Sequence, residues 1–156
     1  MLITTRRFGA PFEVLVSSSK LYSFPDALPG LPDSHRYALL DEEAYLPLRW
    51  LQSLDEDLVC LPVLALDALP MEGYPAHVAA AIGAGDDGVS SIGDHSIVLV
   101  IRFDQEEEAF VANLLAPVLL DHQRGAGKQV ILEGTSYPLR QRLQWIPASR
   151  SFSLPC

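Results

Sequence analysis

Cysteine, basic residues and long apolar runs are all scarce in this sequence of 156 residues. The two cysteines, Cys60 and Cys156, are too few for a disulfide framework, which excludes the class of small disulfide-held secreted scaffolds. No apolar run reaches the roughly 18 residues that a membrane-spanning helix needs, and the first residues lack the apolar segment of a secretory signal. These absences predict a soluble protein of the reducing cytoplasm, with Cys60 as a buried thiol.

The shortage of basic residues excludes further classes of partner. The chain has 11 Lys and Arg against 20 Asp and Glu, a net charge of −9. Direct binding to nucleic acid or to an anionic membrane is not expected, because both need Lys and Arg to neutralise phosphate. The acidic excess lies in residues 41–123, with 16 acidic and two basic residues and a net charge of −14. Such a surface suits a basic partner, and it equally serves to keep the protein soluble.

Proline and glycine are plentiful, with 12 and 10 residues, and they divide the chain into short elements. The length is that of one domain, predicted over residues 1–156. Short apolar runs rich in strand-forming residues predict a mainly β fold. We expect a small antiparallel β-barrel-like or sandwich domain with one or two short helices.

The stretch from Ser96 to Leu132 predicts the centre of the fold. It reads as three strands of an antiparallel meander, at residues 97–101, 110–120 and 129–132. Apolar residues on both faces of the first strand predict cover on both sides, as in a sandwich or closed barrel. Asn113 and Pro117 predict a bulge that ends strand pairing.

Other elements are predicted on either side of this centre. Pro62 lies in the apolar run 58–66 and predicts an edge strand or a bulged strand there, because proline has no backbone N–H to donate to a neighbouring strand. Tyr74 to Ile82 is the helix candidate, with Pro75 in its first turn and Gly83 at its end. The tail 144–156 looks irregular and removable. The remaining expected elements are strands at 12–16, 21–24 and 37–40, and a strand or short helix at 137–143.

No motif of catalytic or cofactor chemistry stands out. Residues 83–88 match the letters of a dinucleotide fingerprint, but the run follows a helix-like segment and holds two aspartates that would repel a pyrophosphate. The four histidines are single, and adjacent residues such as Asp121 and His122 point to opposite faces of a strand. The sequence predicts no cofactor and no metal. A hydrolase with an Asp/Glu pair and a β-barrel binding protein remain alternatives.

Short motifs of apolar, amide and turn residues follow one another along residues 12–143. They are Phe24-Pro25, Leu28-Pro29-Gly30, Leu51-Gln52-Ser53 with Asp55, Tyr74, the 97–101 strand, the run 112–118, the run 127–132 and Tyr137-Pro138-Leu139-Arg140. In this order and spacing they resemble the FliW family of bacterial flagellar assembly factors. Ala27, Val111 and the run around Cys60 depart from the family pattern.

The resemblance implies a barrel-like regulator without catalytic activity. Proteins of this family bind CsrA, a dimeric RNA-binding translational repressor, and block its action on flagellin messenger RNA. They also bind flagellin, which takes the factor away from CsrA. The expected partners of this chain are therefore a CsrA-type regulator and flagellin.

Polar residues within the motifs are the candidate partner contacts. An alternative role for them is to cap loops by bonding backbone groups, which their position next to apolar strands favours. Leucine and valine neighbours are expected in the core, together with Ile131. The candidate contacts are Gln52, Ser53, Asp55, Asn113, Pro117 and Gln129.

The acidic run from Asp104 to Glu108 predicts a hairpin loop with an electrostatic role. A partner that binds RNA relies on Lys and Arg. Carboxylates held beside that surface would repel the RNA without occupying its site. Screening limits this effect to about 10 Å at 0.1 M salt. Glu106, Glu107 and Glu108 are the residues expected to act in this way.

Overall fold

The computed structural model describes residues 1–69, 71–83 and 95–155, and over these residues the chain is mainly β with one α-helix. The predicted fold class is confirmed. The strands are β1 Leu2–Thr5, β2 Phe12–Leu15, β3 Leu21–Ser23, β4 Arg36–Leu40, β5 Leu48–Ser53, β6 Cys60–Ala65, β7 His95–Asp104, β8 Ala109–Ala112, β9 Val118–Asp121, β10 Ala126–Gln129, β11 Gln141–Ile146 and β12 Ser151–Ser153. The helix, α1, is Tyr74–Gly83, where the sequence predicts it.

Seven strands form a closed ring, in the order β7-β6-β5-β4-β3-β10-β9, and β9 pairs again with β7. Neighbours in the ring are antiparallel except β3 and β10, which are parallel and share the single pair Ser23 and Ala126. The ring closes because β7 is ten residues long. Its first residues pair with β9 and its last residues pair with β8, which leads on to β11 and β12 outside the barrel.

Alternating side chains give the barrel an inner core and an outer cover, as the apolar faces of β7 predict. On β7, Val98 packs inside the barrel while Leu99 and Ile101 pack outside it. The outer residues are covered by α1 and by the sheet extension of β8, β11 and β12. Inside the helix-facing core, the Tyr74 hydroxyl donates a hydrogen bond of 2.6 Å to the Leu114 carbonyl.

The β1–β2 hairpin forms a separate two-stranded sheet on another face of the barrel. Ile3 of the hairpin packs with Trp50 of β5 in a small third core. Arg7, whose side chain is 2% exposed, pairs with Glu42 and lies 4.4 Å from the Trp50 ring centre. A buried guanidinium among aromatic rings ties the hairpin loop to the barrel.

The central stretch contains four strands instead of the three predicted. The run 110–120 is divided between β8 and β9 by a turn at Asn113, so the predicted interruption of pairing is present. The run 129–132 mostly follows β10, although Leu132 still bonds to the Leu115 carbonyl through its N–H. Ile131 is 59% exposed, which corrects its expected place in the core.

Two further predictions are corrected by the pairing pattern. The strand β6 is interior, between β5 and β7, and its register with β5 is unbroken from Cys60 to Leu64, although Pro62 predicts an edge strand or a bulged strand. Pro62 is tolerated because it pairs only with Trp50 of β5, and the bonds to β7 begin at Val63. Residues 144–155 are not an irregular tail. They include the second half of β11 and the strand β12, and Phe152 is 3% exposed in the core under α1.

Cys60 is partly buried, and burial raises the pKa of its thiol to about 11. The dinucleotide-like run at 83–88 lies almost entirely outside the described residues.

Candidate partner-binding groove

One end of the barrel opens into an apolar groove of about 340 Å³. Leu31, Leu61 and Val100 line it and also pack against the barrel core, so its floor is the open end of that core. Barrel mouths are common places for binding sites, and pockets of this kind span roughly 300–1,000 Å³. The groove is lined by Leu28, Pro29, Leu31, Leu61, Val100, Asn113, Leu115, Ala116, Gln129, Ile131 and Leu139.

The loop after β3, residues 25–33, contains three prolines and is called the proline loop; it forms one wall of the groove. The N–H of Leu31 bonds to the Leu28 carbonyl over 3.0 Å, and Gly30 between them has a φ of +83° that favours glycine. At the start of this loop, the ring of Phe24 covers Gly127 of β10 so closely that a Cβ there would overlap it. The loop is therefore anchored across the parallel β3–β10 seam.

The opposite wall is the Asn113 turn together with the end of β10. The Asn113 Oδ1 accepts hydrogen bonds of 3.1 Å from the N–H groups of Leu115 and Ala116. The Gln129 Nε2 donates a bond of 3.0 Å to the Ala116 carbonyl. Pro117 is buried behind this wall and accepts a bond from the Val130 N–H. Asn113 and Gln129 thus cap the loop and also line the groove, and partner contact by these two residues stays a prediction.

The rim of the groove exposes two large apolar side chains. Ile131 and Leu139 are each 59% exposed, on segments that follow β10 and precede β11. Exposed apolar residues beside an apolar groove are typical of a surface that binds another molecule. The sequence does not predict either exposed position, because Ile131 follows an apolar strand pattern and Leu139 lies in a short motif between a proline and an arginine.

Gln52, Ser53 and Asp55 lie away from the groove and hold the loop that follows β5. Gln52 is fully buried, and its Nε2 donates bonds to the carbonyls of Ser53, Asp57 and Val59. The Ser53 Oγ bonds to Ser34, at the far end of the proline loop. These bonds support the capping role, and direct partner contact by the three residues stays a prediction.

Asp55 fixes the chain before β4 by its carboxylate. Its Oδ2 accepts hydrogen bonds from the backbone N–H groups of His35 and Arg36, over 2.8 Å and 3.0 Å, and its Oδ1 accepts from the Arg36 guanidinium. The His35 backbone N–H and the Arg36 side chain lower the pKa of Asp55 to about 2.

The acidic run forms the turn of the β7–β8 hairpin. Asp104 is only 3% exposed, and its Oδ1 accepts bonds from the N–H groups of Glu106 and Glu107. The Arg140 guanidinium bonds its Oδ2 and holds the pKa of Asp104 below its usual range. Glu106, Glu107 and Glu108 are exposed at the tip. The turn therefore exposes the carboxylates of the three glutamates and buries that of Asp104 at its base.

Two histidines make cross-strand contacts that the sequence does not predict. The His95 Nε2 lies 3.5 Å from the Asp121 Oδ2, because these residues face each other on β7 and β9. His122 turns the other way and bonds to the Tyr22 hydroxyl over 2.7 Å. Register between strands decides such pairs, and no local sequence signal gives that register.

Among residues 1–69, 71–83 and 95–155, no three His, Cys, Asp or Glu side chains are grouped as a metal site. The same part of the chain contains no helix that is long and apolar enough to cross a membrane.

The fold and the groove define a small, mainly β, barrel-like protein with an apolar groove at the mouth of the barrel. The chain belongs to the FliW family, since the family model described as "FliW protein" matches residues 2–143. The match begins at β1, earlier than the motifs suggest.

Several bacterial proteins named "Flagellar assembly factor FliW" are similar over most of their length. The protein of Leptospira biflexa is 29% identical over 142 residues, covering 90% of each chain. The protein of Natranaerobius thermophilus is 31% identical over 144 residues, covering 92% of each. The protein of Heliobacterium modesticaldum is 30% identical over 152 residues, covering 97% of this chain and 94% of its own. That last alignment extends past Leu143 into the β11–β12 hairpin.

A solved structure shares the fold. The chain of the "Crystal structure of the flagellar assembly factor FliW" matches with a TM-score of 0.66 and 21% identity, over 91% of this chain and 96% of that chain.

Proposed function

We propose that this protein is a non-catalytic flagellar assembly factor of the cytoplasm that binds a CsrA-type repressor and flagellin through the barrel-mouth groove. Membership of the FliW family supports the assembly role. The observation that supports the groove as the partner site is that distant segments of the sequence meet there. Three segments by which the chain resembles that family, around Leu28, Asn113 and Gln129, line the same groove although they are far apart in sequence.

The groove supports binding of a protein segment because it joins an apolar floor to exposed apolar rim residues. Burying Ile131 and Leu139 under a partner would remove apolar surface from water, which drives most protein association. Amides at the wall supply the few polar groups that orient a bound chain.

The direct test is an aspartate at the rim. Leu139→Asp places a charge where an apolar contact is expected, so the Kd for purified CsrA or flagellin should rise by about tenfold or more. Leu15→Asp is the matched control, because Leu15 is 75% exposed on β2, outside the groove. Equal binding by both variants, measured by calorimetry, would place the partner site elsewhere.

We further propose that the acidic turn blocks RNA binding by repulsion. Leu139 lines the groove, and the next residue, Arg140, bonds Asp104 at the base of the turn. A partner held in the groove therefore lies near Glu106–Glu108. Carboxylates within about 10 Å of the RNA path would lower the local positive potential at 0.1 M salt.

Replacing Glu106, Glu107 and Glu108 together by Gln tests this division of roles. The variant should bind CsrA nearly as well as the unaltered protein but displace RNA less effectively, and the difference should shrink as salt rises. The measurement is a CsrA–RNA competition titration at two salt concentrations. If the variant displaces RNA as well as the unaltered protein at low salt, the turn is only a solvated loop. If the variant no longer binds CsrA, the turn is a contact site.

A further inference from the structure

The groove contains two side-chain amides that are each fixed at one end only. The Asn113 Oδ1 and the Gln129 Nε2 are both bonded to the backbone of the 113–116 turn. Their opposite ends, the Asn113 Nδ2 and the Gln129 Oε1, have no hydrogen-bond partner among the described residues. An otherwise apolar groove thus offers one oriented donor and one oriented acceptor.

One donor and one acceptor are the complement of a peptide unit, which presents one C=O and one N–H. We propose that the groove binds an extended apolar segment of the partner protein and bonds one of its peptide units between Asn113 and Gln129. The proposal rests on the proposed function, in which this groove is the partner site. The interior of a helix does not fit, because its peptide groups are already bonded within the helix.

The charges around the groove specify the segment further. Asp33 and Glu133 are exposed, lie two residues from the groove residues Leu31 and Ile131, and have no ion pair with the described residues. The nearby bases Arg102 and Arg140 both contact the single carboxylate of Asp104. The three carboxylates of Asp33, Glu133 and Asp104 outnumber the two guanidinium groups of Arg102 and Arg140, so these five side chains carry a net charge of −1. The segment accordingly carries Lys or Arg beside its apolar anchor.

Asn113→Asp separates hydrogen bonding from charge. The new carboxylate still accepts the bonds from Leu115 and Ala116, but it can no longer donate to the partner's carbonyl. By charge alone this variant would bind a basic segment more tightly. The variant loses the hydrogen bond that the Asn113 Nδ2 donates to the partner's carbonyl. We therefore expect the Kd for purified CsrA or flagellin to rise about tenfold or more, since an unpaired buried polar group is costly.

Gln123→Glu is the charge-matched control, because Gln123 is exposed in the turn after β9 and lies outside the groove. Gln129→Met is a second variant that keeps the side-chain length and removes the acceptor together with the Nε2 bond to the Ala116 carbonyl, so the test survives if Asn113→Asp fails to fold. Unchanged or tighter binding by the folded groove variants would overturn the peptide-unit inference. If Leu139→Asp also binds normally, the proposed groove site fails with it, whereas loss of binding by Leu139→Asp alone leaves that site intact.

Discussion

Phe152 tests whether the C-terminal hairpin belongs to the folded core. Its ring lies 5.4 Å from the Phe110 ring and 4.9 Å from the Trp145 ring, centre to centre, and the side chain is 3% exposed. Truncating a buried phenylalanine to alanine costs about 3–5 kcal/mol. A chain of this length loses roughly 2–4 °C in Tm per kcal/mol, so Phe152→Ala should lower the Tm by about 6–20 °C.

The assay is a thermal melt followed by circular dichroism, with a urea titration for the free energy of unfolding. Gln144→Ala is the control, because Gln144 is exposed on β11 of the same hairpin and should change stability by no more than about 0.5 kcal/mol. Deleting residues 144–156 should destabilise the protein at least as much as Phe152→Ala. A Tm for Phe152→Ala that equals the control would refute the reasoning and return the hairpin to the status of a removable tail.

Two other substitutions probe the barrel seam and the loop after β5. Gly127→Ala should destabilise the fold by about 1–3 kcal/mol in a urea titration, because the buried Phe24 ring must move to admit the new Cβ, and an unchanged midpoint would show that the seam is loose. The folded-state pKa of Asp55 is about 2, below its usual 3.8, so its contribution to stability is complete above that usual value and is lost as the pH falls towards 2. Asp55→Asn should therefore be less stable than the unaltered protein at pH 7, and melts at falling pH should show the gap closing between about pH 4 and pH 2; a constant gap would assign the effect to packing.

The elements with strong local signals could be predicted from the sequence. The β-branched run of β7 and the alanine-rich body of α1 are such elements, and both lie where expected. The β11–β12 hairpin had no such signal. The residue with positive φ in its turn is Arg150, at +50°. Glycine or asparagine at this position would have indicated a hairpin in the sequence. The Arg150 guanidinium instead bonds the Ala44 and Leu46 carbonyls, a long-range contact that no local pattern reveals.

The candidate groove could be predicted only in pieces. Asn113, Pro117 and Gln129 stand out in sequence as polar or turn residues beside apolar strands, and two of them line the groove. Their approach to the proline loop depends on the parallel contact between β3 and β10, which rests on one residue pair. The sequences of β3 and β10 do not indicate parallel pairing, because the closure of the whole barrel determines which strands meet.

Barrel closure and groove formation are therefore one event. The Ser23 N–H bonds the Gly125 carbonyl over 2.8 Å, and the Phe24 ring packs on Gly127 one step further along the seam. These contacts set the start of the proline loop beside β10, whose last residue, Gln129, lines the opposite wall of the groove. Separating the two strands would remove the wall formed by Leu28 and Leu31 without altering any residue that lines the groove. A seam variant such as Gly127→Ala should consequently lose partner binding in proportion to the fraction unfolded, whereas Leu139→Asp and Asn113→Asp should lose it while the barrel stays closed.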